Sequence, residues 1–295
     1  MKKLNNRSIA AVAVFLAVLI GGALPVYVKI GLKETSPEVF SFLRFIISSF
    51  ILLPFFLNQR VKINKDLLKL TIVSLFGTGN ILFFAYGVRL TQASIAQSVY
   101  VLSPVVVVIL SYFLIREKMN YKKLLGILIG FIGAILIILL PVIEKSSPFS
   151  GNLAGNLLVV IALLSFSLYS VLSKKFQPKF SPMQITMVFS LTTAFVMLIL
   201  SLPQLDHVAG KISAFSSQTV FAILYVATLG TAGYHLLYQY AIKHGSPTVA
   251  STILYLQPAS TIIWAFVLLG ERLTTGFILG AILAVAGTSL IIKSK

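Results

Sequence analysis

The sequence predicts an all-α integral membrane protein: ten transmembrane helices arranged as two inverted five-helix repeats. Three observations carry this. Apolar residues make up 58% of the chain, and mean hydropathy is +0.98. They fall in blocks of about 20, the length of helix that crosses a ~30 Å hydrocarbon core. Basic residues gather on alternate connectors, and a constant spacing relates positions in the two halves. A water-soluble domain must keep its exterior largely polar, so it could not hide this much apolar surface.

The apolar segments run at roughly 8–31, 37–57, 67–88, 93–115, 121–143, 152–173, 182–203, 216–242, 247–269 and 274–292. Backbone polar groups in lipid need internal partners, so each segment is expected to be a helix. The first has the basic start and apolar middle of a signal peptide. Its apolar run continues through Pro25 to about Ile30, too long for a cleaved leader, and it is expected to stay as a span. The connectors are mostly short and polar and leave no room for a soluble domain.

With the amino terminus in the cytoplasm, 17 basic residues fall on cytoplasmic segments and six on the opposite side. Acidic residues lean the other way: Glu34, Glu38, Glu144, Asp206 and Glu271 outside, Asp66 and Glu117 inside. This bias predicts a multi-pass protein of the cytoplasmic membrane with both termini inside. The net charge of +17 is therefore read as topology. Nucleic-acid binding would need a clustered basic footprint, and these charges are scattered over six segments. There are no cysteines, which excludes disulfides, thiolate metal sites and cysteine nucleophiles.

Pro104 and Pro258 are 154 residues apart, and so are Glu117 and Glu271, Gly79 and Gly233, Tyr86 and Tyr240, and Gly126 and Gly280. The same offset covers about 60 residues without gaps, the mark of an internal repeat. Earlier in each half the offset is 145, pairing Ser36-Pro37 with Ser181-Pro182. The halves, residues 1–145 and 146–295, hold five spans each. Five is odd, so they must lie in the membrane in opposite orientations. Two inverted halves can exchange conformations around a midplane site, which is the plan of secondary transporters working by alternating access.

The chain also resembles the EamA type of the drug/metabolite transporter superfamily. The likeness rests on Phe42-Leu43-Arg44-Phe45, Pro104, Glu117, Pro258, Gly270-Glu271-Arg272 and the glycine-rich fifth and tenth spans, and it covers essentially the whole chain. The resemblance implies ten helices and transport of small solutes, commonly efflux of amino acids or related metabolites. A nucleotide-sugar or sugar-phosphate exchanger is the alternative cargo. It would want several basic residues inside the spans, and only Arg44 is available. An integral-membrane enzyme would need clustered acid, base or nucleophile groups at depth. Neither a paired aspartate nor a His-rich cluster occurs, so no catalytic residue, metal or cofactor is expected. A lipid-handling accessory protein is the remaining rival.

Candidate site residues follow from position and from disagreement between the halves. Packing should preserve the repeat, whereas contacts to an asymmetric solute should break it. The offset sets Asn80 opposite Tyr234, Ile81 opposite His235, Phe84 opposite Tyr238 and Ser103 opposite Gln257. Tyr234 and Tyr238 are stacked four apart on one helix face, and Ser165 and Tyr169 have the same spacing in the sixth span. Arg44 lies about seven residues into its span, opposite Phe189. It reads either as a snorkelling arginine or as a cavity residue holding a substrate carboxylate. His235 reads as a packing residue or as the best titratable group inside a span. Pro104 and Pro258 read as kinks or hinges that free the carbonyls of Tyr100 and Leu254, and Pro25 is a third hinge candidate. Glu117 and Glu271 sit at span ends beside basic residues, where capping or pairing explains them better than proton coupling. Gly126, Gly130 and Ala134, and Gly276, Gly280, Ala284 and Thr288, recur every four residues. Small residues at that spacing let helices approach closely, within each half or at a homo-oligomer contact.

Overall fold

A computed structural model describes residues 6–59, 64–90, 96, 99–100, 102–144, 153–209, 215–257, 260, 264 and 275–293. Its helices are α1 (Asn6–Gly21), α2 (Leu24–Gly31), α3 (Pro37–Leu57), α4 (Lys65–Leu90), α5 (Ser103–Ile115) and α6 (Tyr121–Glu144). They continue with α7 (Leu153–Ser173), α8 (Pro182–Ala209), α9 (Ser217–Tyr225), a π-helical segment (Val226–Gly233), α10 (Tyr234–His244), α11 (Pro247–Ser251) and α12 (Thr275–Lys293). No strand occurs among the described residues. Six helical stretches among them are long and apolar enough to cross a membrane: 8–31, 37–57, 65–90, 154–176, 182–203 and 217–244.

Serine caps start several of these helices. Ser36, Ser216 and Ser246 each accept from the backbone N–H three residues on, and Pro37 and Pro247 follow two of them with φ already helical. The first span is not one rod. It breaks at Gly22-Ala23, and Pro25 sits in the first turn of α2. Side chains occupy carbonyls beside the break: Tyr225 Oη donates to Ile20 O at 3.1 Å, and Trp264 Nε1 to Leu19 O at 3.1 Å. Irregular backbone at membrane depth needs such partners. The eighth span is helical throughout but widens into the π turn at 226–233, a form of helix common at functional sites.

The described helix α5 opens at Ser103, and Pro104 lies in its first turn. Three of the described glycines on the glycine faces pack between the halves. Gly126 lies against Gly287 and Ile291, and Gly130 against Gly287 and Tyr255, so α6 and α12 pack antiparallel across the halves. A Cβ at Gly126 would sit 2.8 Å from the Gly287 carbonyl oxygen, a contact only glycine allows.

Helix pairing positions the centre of the bundle. α4 packs on α7, α1 on α10, α3 on α8, and α6 on α12. α3 also meets the π segment, and α4 meets α8. Polar contacts tie the ends. At one end Asn6 meets His244 at 3.0 Å, Lys179 pairs with Asp66 at 2.7 Å and Ser181 bonds Gln59. There too Lys123 pairs with Glu117 at 2.9 Å, and Lys174 reaches the Gly245 carbonyl. At the other end Glu34 accepts from the Ser216 N–H at 3.0 Å.

Candidate functional site: a polar cavity at the centre of the bundle

A cavity of about 90 Å³ lies where the two halves meet. Each surrounding element contributes through its local geometry. The break in the first span turns Leu24, Pro25 and Val28 toward it, α3 brings Arg44, and α4 brings Asn80, Ile81 and Phe84 one turn apart. Tyr100, Phe166, Leu254 and Gln257 close further sides. The π segment and the start of α10 supply Gly230, Tyr234 and His235.

Arg44 is 6% exposed, well inside its helix. Its Nε donates to Thr231 Oγ1 at 3.0 Å, and that hydroxyl donates in turn to Val226 O at 2.7 Å, five residues back along the π segment. The guanidinium lies 5.0 Å from the centre of the Phe45 ring. Among the described residues no carboxylate pairs with it. A buried cation without a counter-ion is costly. Across the cavity Asn80 Nδ2 donates to Tyr100 Oη and to Ala162 O at 3.0 Å. Tyr100 meets Phe84 edge-on with centroids 5.3 Å apart, and Phe166 extends this aromatic wall to Tyr238 at 5.2 Å. His235 is packed between rings, 4.9 Å from Phe189 and 6.2 Å from Phe45. At Gly21 a Cβ would lie 2.9 Å from the Tyr234 ring, so the absence of a side chain lets α1 approach the cavity wall.

The structure thus brings Pro25, Arg44, Asn80, Phe84, Tyr100, Tyr234, His235 and Gln257 around one space. It puts the other candidates elsewhere. Tyr169 and Tyr238 lie one turn deeper, in a buried hydrogen-bonded wall. Ser170 and Tyr238 share a bond of 2.8 Å, and Gln239 donates to Tyr169 Oη at 3.0 Å and to Ser173 at 3.4 Å. Gln177 donates to Gln239 Oε1 at 2.7 Å. This wall separates the cavity from the end that carries Lys174. Ser103 bonds Ser167 at 3.3 Å, and Ser165 packs near Gly79 on the α4–α7 contact. Pro258, Glu271 and Arg272 lie outside the described residues.

Leu24, Val28, Phe166 and Gly230 line the cavity without having been singled out in the sequence. A signal existed for more than one of them: the offset of 154 sets Gly230 opposite Phe76. The offset of 145 sets Phe166 opposite Gly21, as sharp a disagreement between halves as any used above. Glu38 was assigned to the outer connector. It is 6% exposed in the first turn of α3, where the helix N-terminus favours a carboxylate and the Tyr86 hydroxyl donates to it.

Known proteins share this sequence and architecture. One solved crystal structure superimposes with a TM-score of 0.75 at 18% identity, covering 95% of each chain, which bears on the fold alone. An uncharacterized transporter of Archaeoglobus fulgidus is 27% identical over 93% of this chain and 94% of its own. The transporter YoaV of Bacillus subtilis is 27% identical over 91% of each. A protein of Rickettsia prowazekii named as an S-adenosylmethionine uptake transporter is 28% identical, covering 90% of this chain and 86% of that one. The sequence profile of the EamA-like transporter family matches residues 8–139 and again 153–293, nearly the full length in two pieces, and the chain belongs to that family.

Proposed function

We propose that the central cavity is the substrate site of a secondary transporter for small organic metabolites that carry a carboxylate, such as amino acids and their derivatives. The single observation behind this reading is Arg44: a buried cation on the cavity wall, held by Thr231 and without a carboxylate partner among the described residues. A bidentate bond to a planar anion would satisfy the remaining guanidinium donors. Asn80, Tyr100, Tyr234 and Gln257 offer bonding groups for the rest of the solute, and Phe84 and Phe166 offer apolar surface. The relative named for S-adenosylmethionine uptake fits the same class, since that compound contains an amino-acid carboxylate. A sugar-phosphate or nucleotide-sugar exchanger is disfavoured, because among the described residues Arg44 is the one lysine or arginine on the cavity wall.

The mechanism proposed is alternating access between inverted repeats, residues 1–145 and 146–295. Support comes from helix pairing. Exchange of the halves turns the α4–α7 contact into the α10–α1 contact, and the α3–π-segment contact into the α8–α4 contact. The α3–α8 and α6–α12 pairs map onto themselves. Residues 6, 59, 66, 117, 179 and 244 gather at one end, as ten alternating spans with both termini on the same side require. The charge bias makes that end cytoplasmic. Efflux is the proposed direction, and its support is the family resemblance. Hinge roles are proposed for Pro25 at the helix break, for Pro104 in the first turn of α5, and for Pro258 on the sequence repeat.

The test is exchange of radiolabelled amino acids in proteoliposomes containing the purified chain, in both gradients. Uptake against an unlabelled internal pool, lost in Arg44→Gln while the variant stays folded, is the expected result. Equal exchange by Arg44→Gln and the parent would remove the cavity from the transport path.

A further inference from the structure

Arg116 carries the one positive φ among the described non-glycine residues: φ 53°, ψ 40°. It ends α5 as a left-handed cap, and the following Glu117 N–H reaches back to Ser111 O at 3.1 Å. Glycine is the usual residue there, because a Cβ is crowded in that conformation. The repeat supplies the comparison: the position 154 residues on is Gly270. The second half thus has, at the repeat-related position, the residue type this conformation favours, where the first half has an arginine. A strained residue retained against an available relaxed alternative calls for a use of its side chain.

The surroundings supply one. Arg116 lines a cleft of about 520 Å³ at the end of the bundle where the basic connectors gather. Lys174 and Lys175 line it from a second connector and Ser246 from a third, with Leu114 and Ile115 on its apolar side. The Lys174 ammonium is anchored on the carbonyls of Ile242 at 2.6 Å, Gly245 at 3.2 Å and Lys243 at 3.3 Å. Arg116 and Lys175 are exposed and in no ion pair among the described residues. Glu117 also faces the cleft, but its carboxylate is held by Lys123 at 2.9 Å. The cleft is net cationic and bordered by apolar side chains.

We propose that this cleft binds the phosphate of an anionic phospholipid headgroup, with Arg116 and Lys175 as its ligands and Lys174 as a fixed neighbouring charge. Arginine meets a phosphate with two parallel N–H bonds, and the apolar border suits the glycerol and first acyl carbons. The site is separate from the central cavity and does not depend on what that cavity carries. It lies on the leaflet that the charge bias makes cytoplasmic, where anionic lipid concentrates.

Thermal unfolding of the purified full chain in neutral detergent tests this, with phosphatidylglycerol, phosphatidylcholine or inorganic phosphate added. Arg116→Gly relaxes the cap, so its Tm without lipid should rise by about 2 °C. Phosphatidylglycerol should raise the parent Tm by about 3 °C more than phosphatidylcholine does, and that gain should vanish in Arg116→Gly. Lys175→Gln leaves the backbone unchanged and should lose about half of it. Lys69→Gln, the same charge removed elsewhere at this end, should keep it. A full gain retained in Arg116→Gly overturns the site. An equal loss in Lys69→Gln overturns it in favour of diffuse attraction, and a gain matched by inorganic phosphate overturns the lipid as its occupant.

Discussion

Nε of Arg44 donates to the Thr231 hydroxyl at 3.0 Å, and the repeat relates this pair to Phe189 and Gly77, which are also in contact. One geometry is therefore written twice in different chemistry. In one half a guanidinium meets a hydroxyl beside a cavity. In the other a phenyl ring packs where glycine leaves room. The fold explains the contact, and the asymmetry points to the solute.

Arg44→Gln should lower affinity for carboxylate solutes about 10- to 100-fold, the weight of a buried charge-assisted bond. Arg44→Lys should recover only part, because an ammonium cannot reproduce the planar fork. Thr231→Val removes the acceptor that orients Nε and should cost roughly 5-fold. Solute-induced shifts in Tm measure all three.

The buried wall between α7 and α10 should control opening toward the Lys174 end. Tyr238→Phe deletes the 2.8 Å bond to Ser170, and Gln239→Leu deletes the bonds to Tyr169 and Ser173. Each bond is worth about 1 kcal/mol, so Tyr238→Phe should raise the population open at that end about 5-fold, and Gln239→Leu, which loses the Gln177 bond as well, should raise it further. The native chain has no cysteine, so a single Ser173→Cys reports this as faster labelling by a thiol reagent.

The α6–α12 seam should tolerate no added methyl. Gly126→Ala should destabilise by about 1–3 kcal/mol, since the obstacle is backbone that cannot turn aside. Gly79→Ala is the control: its nearest contact would be 3.7 Å, and alanine is the better helix former. Unfolding in detergent should separate the two.

Glu34 is expected to make the opposite end sensitive to acid. Its hydrogen bonds with Ser216, first from the side chain and then from the backbone N–H, lower its pKa below 4.5. A depressed folded value means the contact stabilises above the unfolded pKa and is lost as pH falls through the folded one. Hydrogen exchange at the Ser216 amide should accelerate below about pH 4.5 in the parent. In Glu34→Gln that acid-induced step should disappear.

Orientation is checked with single cysteines. Lys33→Cys and Lys118→Cys should react from opposite faces of the membrane, with Lys118→Cys on the cytoplasmic one. Labelling of both from one face would remove the alternation of spans on which the inverted arrangement depends.

Much of this architecture was legible because hydropathy and charge act residue by residue. Spans such as 37–57 and 152–173 emerge within a residue or two of the helices formed. The repeat made Asn80, Tyr234, His235 and Gln257 stand out, since each breaks a pattern that packing alone would keep. Long-range contact was not legible. Ser165 and Ser103 have the spacing of site residues but face α4 and Ser167. The π turn carries no sequence mark in VATLGTAG, although it decides that Gly230 and Tyr234 share one space. Pro104 shows the same limit. A proline in an apolar run signals interruption, and tertiary context decides whether a helix bends there or begins.

The glycine-lined seam of α6 and α12 has a mechanical consequence. Backbones in direct contact along Gly126, Gly130 and Gly287 leave no lubricating layer of side chains, so they cannot slide past one another. Under the proposed alternating access, the seam would serve as a fulcrum about which the remaining helices of each half swing. A crosslink across the fulcrum should leave turnover intact, while one between α7 and α10 should arrest it.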